Sequence, residues 1–135
     1  MKFVLDTNIV SFAMAGDPSV LERMFSRPRT DVLIPQPAIA EIEYGIARLP
    51  ESGRRRRLAE RLQRFVENAS DAVWTADVSR AFGATKADLE ARGERIEDFD
   101  VAIAAHALAL DAVLVTDNTA HMGRIRGLRL ENWRT

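Results

Sequence analysis

The chain has 135 residues, 47% hydrophobic and 29% charged, with a formal net charge of −1. That size fits one domain, residues 1–135, and no run approaches the roughly 18 apolar residues of a membrane span. With no cysteine, disulfides, thiolate metal sites and a cysteine nucleophile are excluded; with no separate basic and apolar regions at the N-terminus, no secretion signal is read and a cytoplasmic setting is expected.

In chain order, Lys2–Leu5 predicts a first strand, apolar through Phe3, Val4 and Leu5, that runs straight into Asp6, Thr7 and Asn8. A carboxylate at the tip of a buried strand is costly unless donors or a cation hold it. Asn8–Ala15 predicts a short helix stopped at Gly16, and Asp17-Pro18 restarts one with a cap acceptor followed by proline at the first helical position. Val20, Leu21, Met24 and Phe25 then keep helical spacing. Asp31–Pro35 is a second strand, and a helix from Pro37 to Arg48 carries Ile39, Ile42 and Ile46 along one side.

Gly53 precedes the next helix, which runs to about Glu67, with an apolar stripe of Leu58, Leu62 and Phe65 beside an arginine stripe of Arg54, Arg57, Arg61 and Arg64. Ala72–Thr75 predicts a third strand. Asp77 is then placed to cap a helix through Val78, Ala81, Phe82, Thr85 and Leu89, ending at Arg92-Gly93. Asp98 is placed to cap the alanine-rich helix Phe99–Leu110; Ala112–Thr116 predicts a fourth strand and Leu128–Leu130 a short last one. Strands alternating with helices favour an α/β fold: a three-layer α/β/α sandwich around a mainly parallel sheet of four to five strands.

Charge is unevenly spread. Seven arginines lie between Arg48 and Arg64, and eight acids between Asp71 and Asp100. A basic face beside an acidic region suits a polyanion bound next to a metal site, as well as plain solvated helix faces. In open parallel sheets, sites form outside the strand carboxyl ends, where strand order reverses. Asp6 stands at the carboxyl end of the first strand, Asp117 and Asn118 just past the fourth. Glu41 lies about one turn into the helix after the second strand, and Asp100 in the first turn of the helix before the fourth. The topology points all four segments to one edge. Converging carboxylates raise one another's pKa, and an oxygen-liganding dication, Mg²⁺ or Mn²⁺, resolves the conflict.

At these residues the chain closely resembles VapC-type toxins of the PIN-domain ribonuclease family. The matching stretches are FVLDTNIV, AEIEYGIARLP around Glu41 and Gly45, IEDFDVAIAAHALAL around Asp100, and LVTDNTAHMGRIRGLRLENW. They occur in consistent order from residue 2 to residue 133. The resemblance implies a PIN-like three-layer fold, Mg²⁺ or Mn²⁺ dependence, endoribonuclease activity, a homodimer, and neutralisation by a cognate antitoxin through which any DNA contact is indirect. It makes Asp6, Glu41 and Asp100 the acidic set, with Asp6 and Asp100 the most direct metal ligands. Asn118 takes the family's fourth position, with Asp117 as an extra acid; Met122 stands where the family often has phenylalanine, a change expected to alter packing only.

The expected mechanism is metal-assisted hydrolysis of an RNA phosphodiester. Asp6 and Asp100 hold the ion, Glu41 orients or deprotonates the attacking water, and Asp117 or Asn118 completes the surroundings. The Arg54–Arg64 helix, with Arg124, Arg126 and Arg129, offers contacts to the RNA backbone. A metal-free ribonuclease would need paired acid and base groups; His106 is expected in the core and His121 in a surface loop. The alternatives are a non-catalytic interaction module with structural acids, and a phosphoryl-transfer or phosphatase domain. The latter fits poorly: Asn8 stands where an aspartyl phosphatase needs its second aspartate, and the only lysines are Lys2 and Lys86.

Overall fold

A computed structural model describes residues 1–135. Its elements are β1 (Phe3–Leu5), α1 (Thr7–Met14), α2 (Pro18–Phe25), β2 (Val32–Pro35), α3 (Gln36–Ala47), α4 (Gly53–Glu67), β3 (Ser70–Ala72), α5 (Ala76–Ala91), α6 (Asp98–Ala109), β4 (Val113–Val115), α7 (Thr119–Met122) and β5 (Arg129–Glu131), with a single 3-10 turn at Arg29–Asp31. The five strands form one sheet in the order β3-β2-β1-β4-β5, parallel throughout. No helix is long and apolar enough to cross a membrane.

Side chains alternate across the sheet. Phe3 and Leu5 face one layer, where Ile9, Val10, Val20, Val115 and Trp133 pack against them. Val4 faces the other, with Leu33, Leu89, Val101, Ile103, Leu114 and Met122. Apolar area on both faces explains why the central strands are continuous hydrophobic runs. Burying each large aliphatic side chain here stabilises the fold by roughly 1.5–3 kcal/mol relative to leaving it in water. Met122 is fully buried, so the departure from phenylalanine is absorbed in the core.

Three expected boundaries move. The third strand is Ser70–Ala72 rather than Ala72–Thr75. It pairs through Leu33 with Ser70, Ile34 with Asp71 and Pro35 with Ala72. Being an edge strand, it needs little apolar content; Val73 and Trp74, which drew the prediction, lie exposed beyond it. Thr75, not Asp77, caps α5, its hydroxyl accepting from the Val78 N–H. Glu97 holds the cap position of α6, so Asp98 is its first residue and pairs with Lys86 at 3.0 Å.

The chain leaves β1 toward β2 on one side, and β4 enters on the other, so strand order reverses between β1 and β4. The Asp6 N–H donates to the Val115 carbonyl at 2.9 Å, extending the ladder to the first residue past β1. Helix α3 packs against both α1 and α6. That contact bridges the two layers at the strand carboxyl ends.

Candidate active site

Asp6 is the cap residue of α1, with extended backbone and its Oδ1 accepting from the Thr7 N–H at 2.8 Å. Its Oδ2 accepts from the Thr116 hydroxyl at 2.7 Å. The residue is 5% exposed. Burial dominates and raises its pKa; the two donors pull it down, and the charges of Glu41 and Asp117 push it up again. The carboxylate at the tip of the first strand is therefore held by a helix terminus and a threonine from the neighbouring strand.

Asp100, in the first turn of α6, is half-buried. Its pKa is pushed up to about 6, first by burial and then by the charges of Asp6, Glu41 and Glu97. Glu41, on α3, accepts from the Thr7 hydroxyl at 2.5 Å. Asp117, just past β4, receives the Asn8 amide at 3.4 Å. Four acids separated by up to 111 positions thus share one field at the sheet's switch point, as the topology requires.

Asn118 sits at the same edge, beside Asp117. Its side-chain oxygen faces His121 Nδ1 at 3.0 Å, and its backbone N–H donates to the Thr116 hydroxyl at 3.0 Å. His121 belongs to the one-turn helix α7 rather than to a loop. His106 is a core residue: Nδ1–H donates to the Ala102 carbonyl at 2.8 Å, burial lowers its pKa, and its ring stands edge-on to Trp74.

Sequence reasoning gave no role to Thr7, Thr116 or Glu97. Two of them had a visible signal: each threonine adjoins an acid at a strand end, in DTN and VTDN. Of the arginines offered as RNA contacts, Arg129 is misplaced. It donates to the Asp111 carbonyl at 2.6 Å and pairs in register with Val113, at the amino end of β4, opposite the acids. Arg126 is paired with Asp88. Arg61 of α4, by contrast, lines the same cavity as Glu41.

The side chains as they stand do not form a cluster of three acidic or histidine ligands. The donor chemistry nonetheless suits Mg²⁺ or Mn²⁺: carboxylates and hydroxyls, with no sulfur and no imidazole among the acids. Buried carboxylates whose pKa values are pushed up by burial and by neighbouring acids, Asp6 by Glu41 and Asp117, and Asp100 by Asp6, Glu41 and Glu97, are the electrostatic situation a dication relieves.

A family model described as PIN domain matches residues 3–128. The tRNA(fMet)-specific endonuclease VapC of Shigella flexneri is 31% identical over 98% of both chains. Ribonuclease VapC2 of Rickettsia felis is 30% identical over the same share. Among solved structures, VapBC from Salmonella typhimurium bound to DNA superposes with a TM-score of 0.89 at 27% identity, covering 98% of each chain. VapBC2 from Rickettsia felis, bound to a promoter DNA fragment, gives 0.85 at 29%, covering 98% of this chain and 99% of that one. Matching over nearly its whole length in sequence and in fold, with the acids of its switch point in place, the chain belongs to the PIN-domain family, among the VapC-type ribonuclease toxins.

Proposed function

We propose that this protein is a cytoplasmic, divalent-metal-dependent endoribonuclease that hydrolyses RNA phosphodiester bonds and is held inactive by a cognate antitoxin. The observation that carries this is the convergence of Asp6, Glu41 and Asp100, where burial first and then the charges of Asp6, Glu41 and Glu97 push Asp100 up to about pKa 6. The names of the relatives, one of them specific for tRNA(fMet), support RNA as substrate. The DNA-bound VapBC neighbours support an antitoxin that mediates any contact with DNA. Val73, Trp74 and Phe99 are exposed apolar side chains, which supports burial against a second copy of the chain.

Asp6 and Asp100 would hold the ion, with Glu41 nearby. When bound, Mg²⁺ or Mn²⁺ neutralises charge on the phosphate and makes water a better nucleophile near neutral pH. Thr116 fixes the Asp6 carboxylate in one orientation. Thr7 does the same for Glu41, leaving the second Glu41 oxygen to accept the proton of the attacking water. Asp117, steadied by Asn8, adds negative potential beside Asp6. Asn118 acts through Thr116 and His121, as a positioning residue.

The test is a time course of total cellular RNA with purified protein, with and without chelator, beside Asp6→Asn. Discrete fragments are expected only with wild type and metal. Fragments that persist in chelator, or with Asp6→Asn, would exclude this mechanism.

A further inference from the structure

A cavity of about 280 Å³ lies between α1, α3 and α4, and Thr7, Glu41, Ile42, Gly45, Leu58 and Arg61 are among its walls. Two of these walls belong to the acid site, since the Thr7 hydroxyl donates to Glu41. The cavity thus adjoins the acid site at Thr7 and Glu41.

Gly45 stands one turn after Glu41 on α3, on the same side. Glycine is among the poorest residues for a helix interior. Its φ is not positive here, and a Cβ added to it meets no atom within 4 Å. Neither backbone conformation nor packing calls for glycine at this position. What its bare backbone does is keep the cavity open beside the carboxylate.

Arg61 faces the same space and takes part in none of the molecule's ion pairs. A guanidinium without a carboxylate partner is free for planar, two-pronged recognition of a phosphate. The remaining walls are largely apolar, including Ile42, Ile46 and Leu58, and suit the face of a base. An apolar peptide would satisfy those walls but leave Arg61 without an anion; a nucleotide satisfies both. A base enters such a cavity only when it is unpaired.

We propose that this cavity is a nucleotide subsite for single-stranded RNA, in which Gly45 leaves room for the base and sugar and Arg61 holds a phosphate flanking the cut. It rests on the ribonuclease activity proposed above and adds two substrate-positioning residues to it.

The experiment measures binding of a short, mixed-sequence, fluorescein-labelled oligoribonucleotide in EDTA across a salt series, together with melting temperature. Gly45→Leu is expected to melt at or above wild type yet bind on the order of tenfold more weakly. Arg61→Gln is expected to lose comparable affinity and to flatten the slope of log K against log salt by about 0.7; Arg61→Lys restores the slope. Arg61 is exposed, so its variants remain decisive if Gly45→Leu does not fold. Wild-type affinity in Gly45→Leu and Arg61→Gln overturns the subsite, as does unchanged RNA affinity alongside lost binding of a purified antitoxin, which would make the cavity a peptide groove. Metal-dependent cleavage that persists beside either result leaves the ribonuclease activity standing. Binding that behaves as expected in a protein that cleaves no RNA with Mg²⁺ or Mn²⁺ overturns that activity and keeps the subsite.

Discussion

Asp6 has both carboxylate oxygens engaged, one by the Thr7 N–H and one by the Thr116 hydroxyl. The two bonds offset part of the cost of burying a charge. Thr116→Val keeps the shape and deletes one donor, leaving a buried carboxylate oxygen unpaired. A loss of about 1–3 kcal/mol is expected in urea denaturation, and a loss within error would show that water substitutes for the hydroxyl. Asp100 carries the opposite imbalance. Its pKa of about 6 in the fold exceeds the 3.8 of the unfolded chain, so the folded state binds the proton more tightly. Stability of the metal-free protein therefore falls as pH rises from about 4 through about 6. Asp100→Asn should flatten that limb and raise metal-free stability at pH 7 by about 1–2 kcal/mol, after discounting for solvent screening. Equal thermal denaturation curves for variant and wild type at pH 5 and pH 7 would contradict it.

At the scale of elements, short strands and helices depend on their ends. Asp17 caps α2 by accepting from the Ser19 and Val20 N–H groups. The bond from Val20 is the largest cause of its lowered pKa, with Arg134 and Ser19 adding to it. A depressed pKa stabilises above the unfolded value of 3.8 and is lost as pH falls through the folded one. Asp17→Ala should lower the melting temperature at pH 7 and show a smaller decline below pH 4 than wild type. The C-terminal segment is secured by Trp133, fully buried, its ring 5.3 Å from that of Phe3 and its Nε1–H donating to Glu131. The Arg27 guanidinium lies over both rings. Trp133→Ala removes a large core side chain, with an expected cost of about 3–5 kcal/mol by chemical denaturation. Element positions were legible wherever a turn signal met a hydrophobic run, as at Asp17-Pro18 and Arg92-Gly93. The third strand was not, because an edge strand paired through its backbone leaves only a weak mark on its side chains. Its apolar neighbours Val73 and Trp74 were more conspicuous than Ser70 and Asp71.

For the molecule as a whole, a dication that binds only the folded state stabilises by mass action. The expected gain is about 2.7 kcal/mol at a concentration one hundred times Kd. Wild type should melt higher in Mg²⁺ or Mn²⁺, and Asp6→Asn and Asp100→Asn should each lose most of that rise. The pH dependence described for Asp100 should also diminish when metal is present, since the ion competes with the proton for the same oxygens. Identical metal responses in wild type and both variants would remove Asp6 and Asp100 as ligands.

The amino-acid sequence by itself determined the layered parallel fold, because periodicity and turn chemistry are local and need no knowledge of neighbours. It also named Asp6, Glu41, Asp100 and Asp117, since Asp6, Asp100 and Asp117 mark the ends of elements and Glu41 lies about one turn into the helix that follows a strand. Tertiary structure decided what these acids do to one another. Asp100 rises to about pKa 6 because the fold buries it and brings the charges of Asp6, Glu41 and Glu97 within its field. Likewise, the Thr7 and Thr116 hydroxyls become orienting donors only through contacts 34 and 110 positions apart in the chain. Asn118 turned toward His121, and Arg129 toward the far edge of the sheet. Coulomb interactions and burial depend on distance through space, which spacing along a chain does not encode.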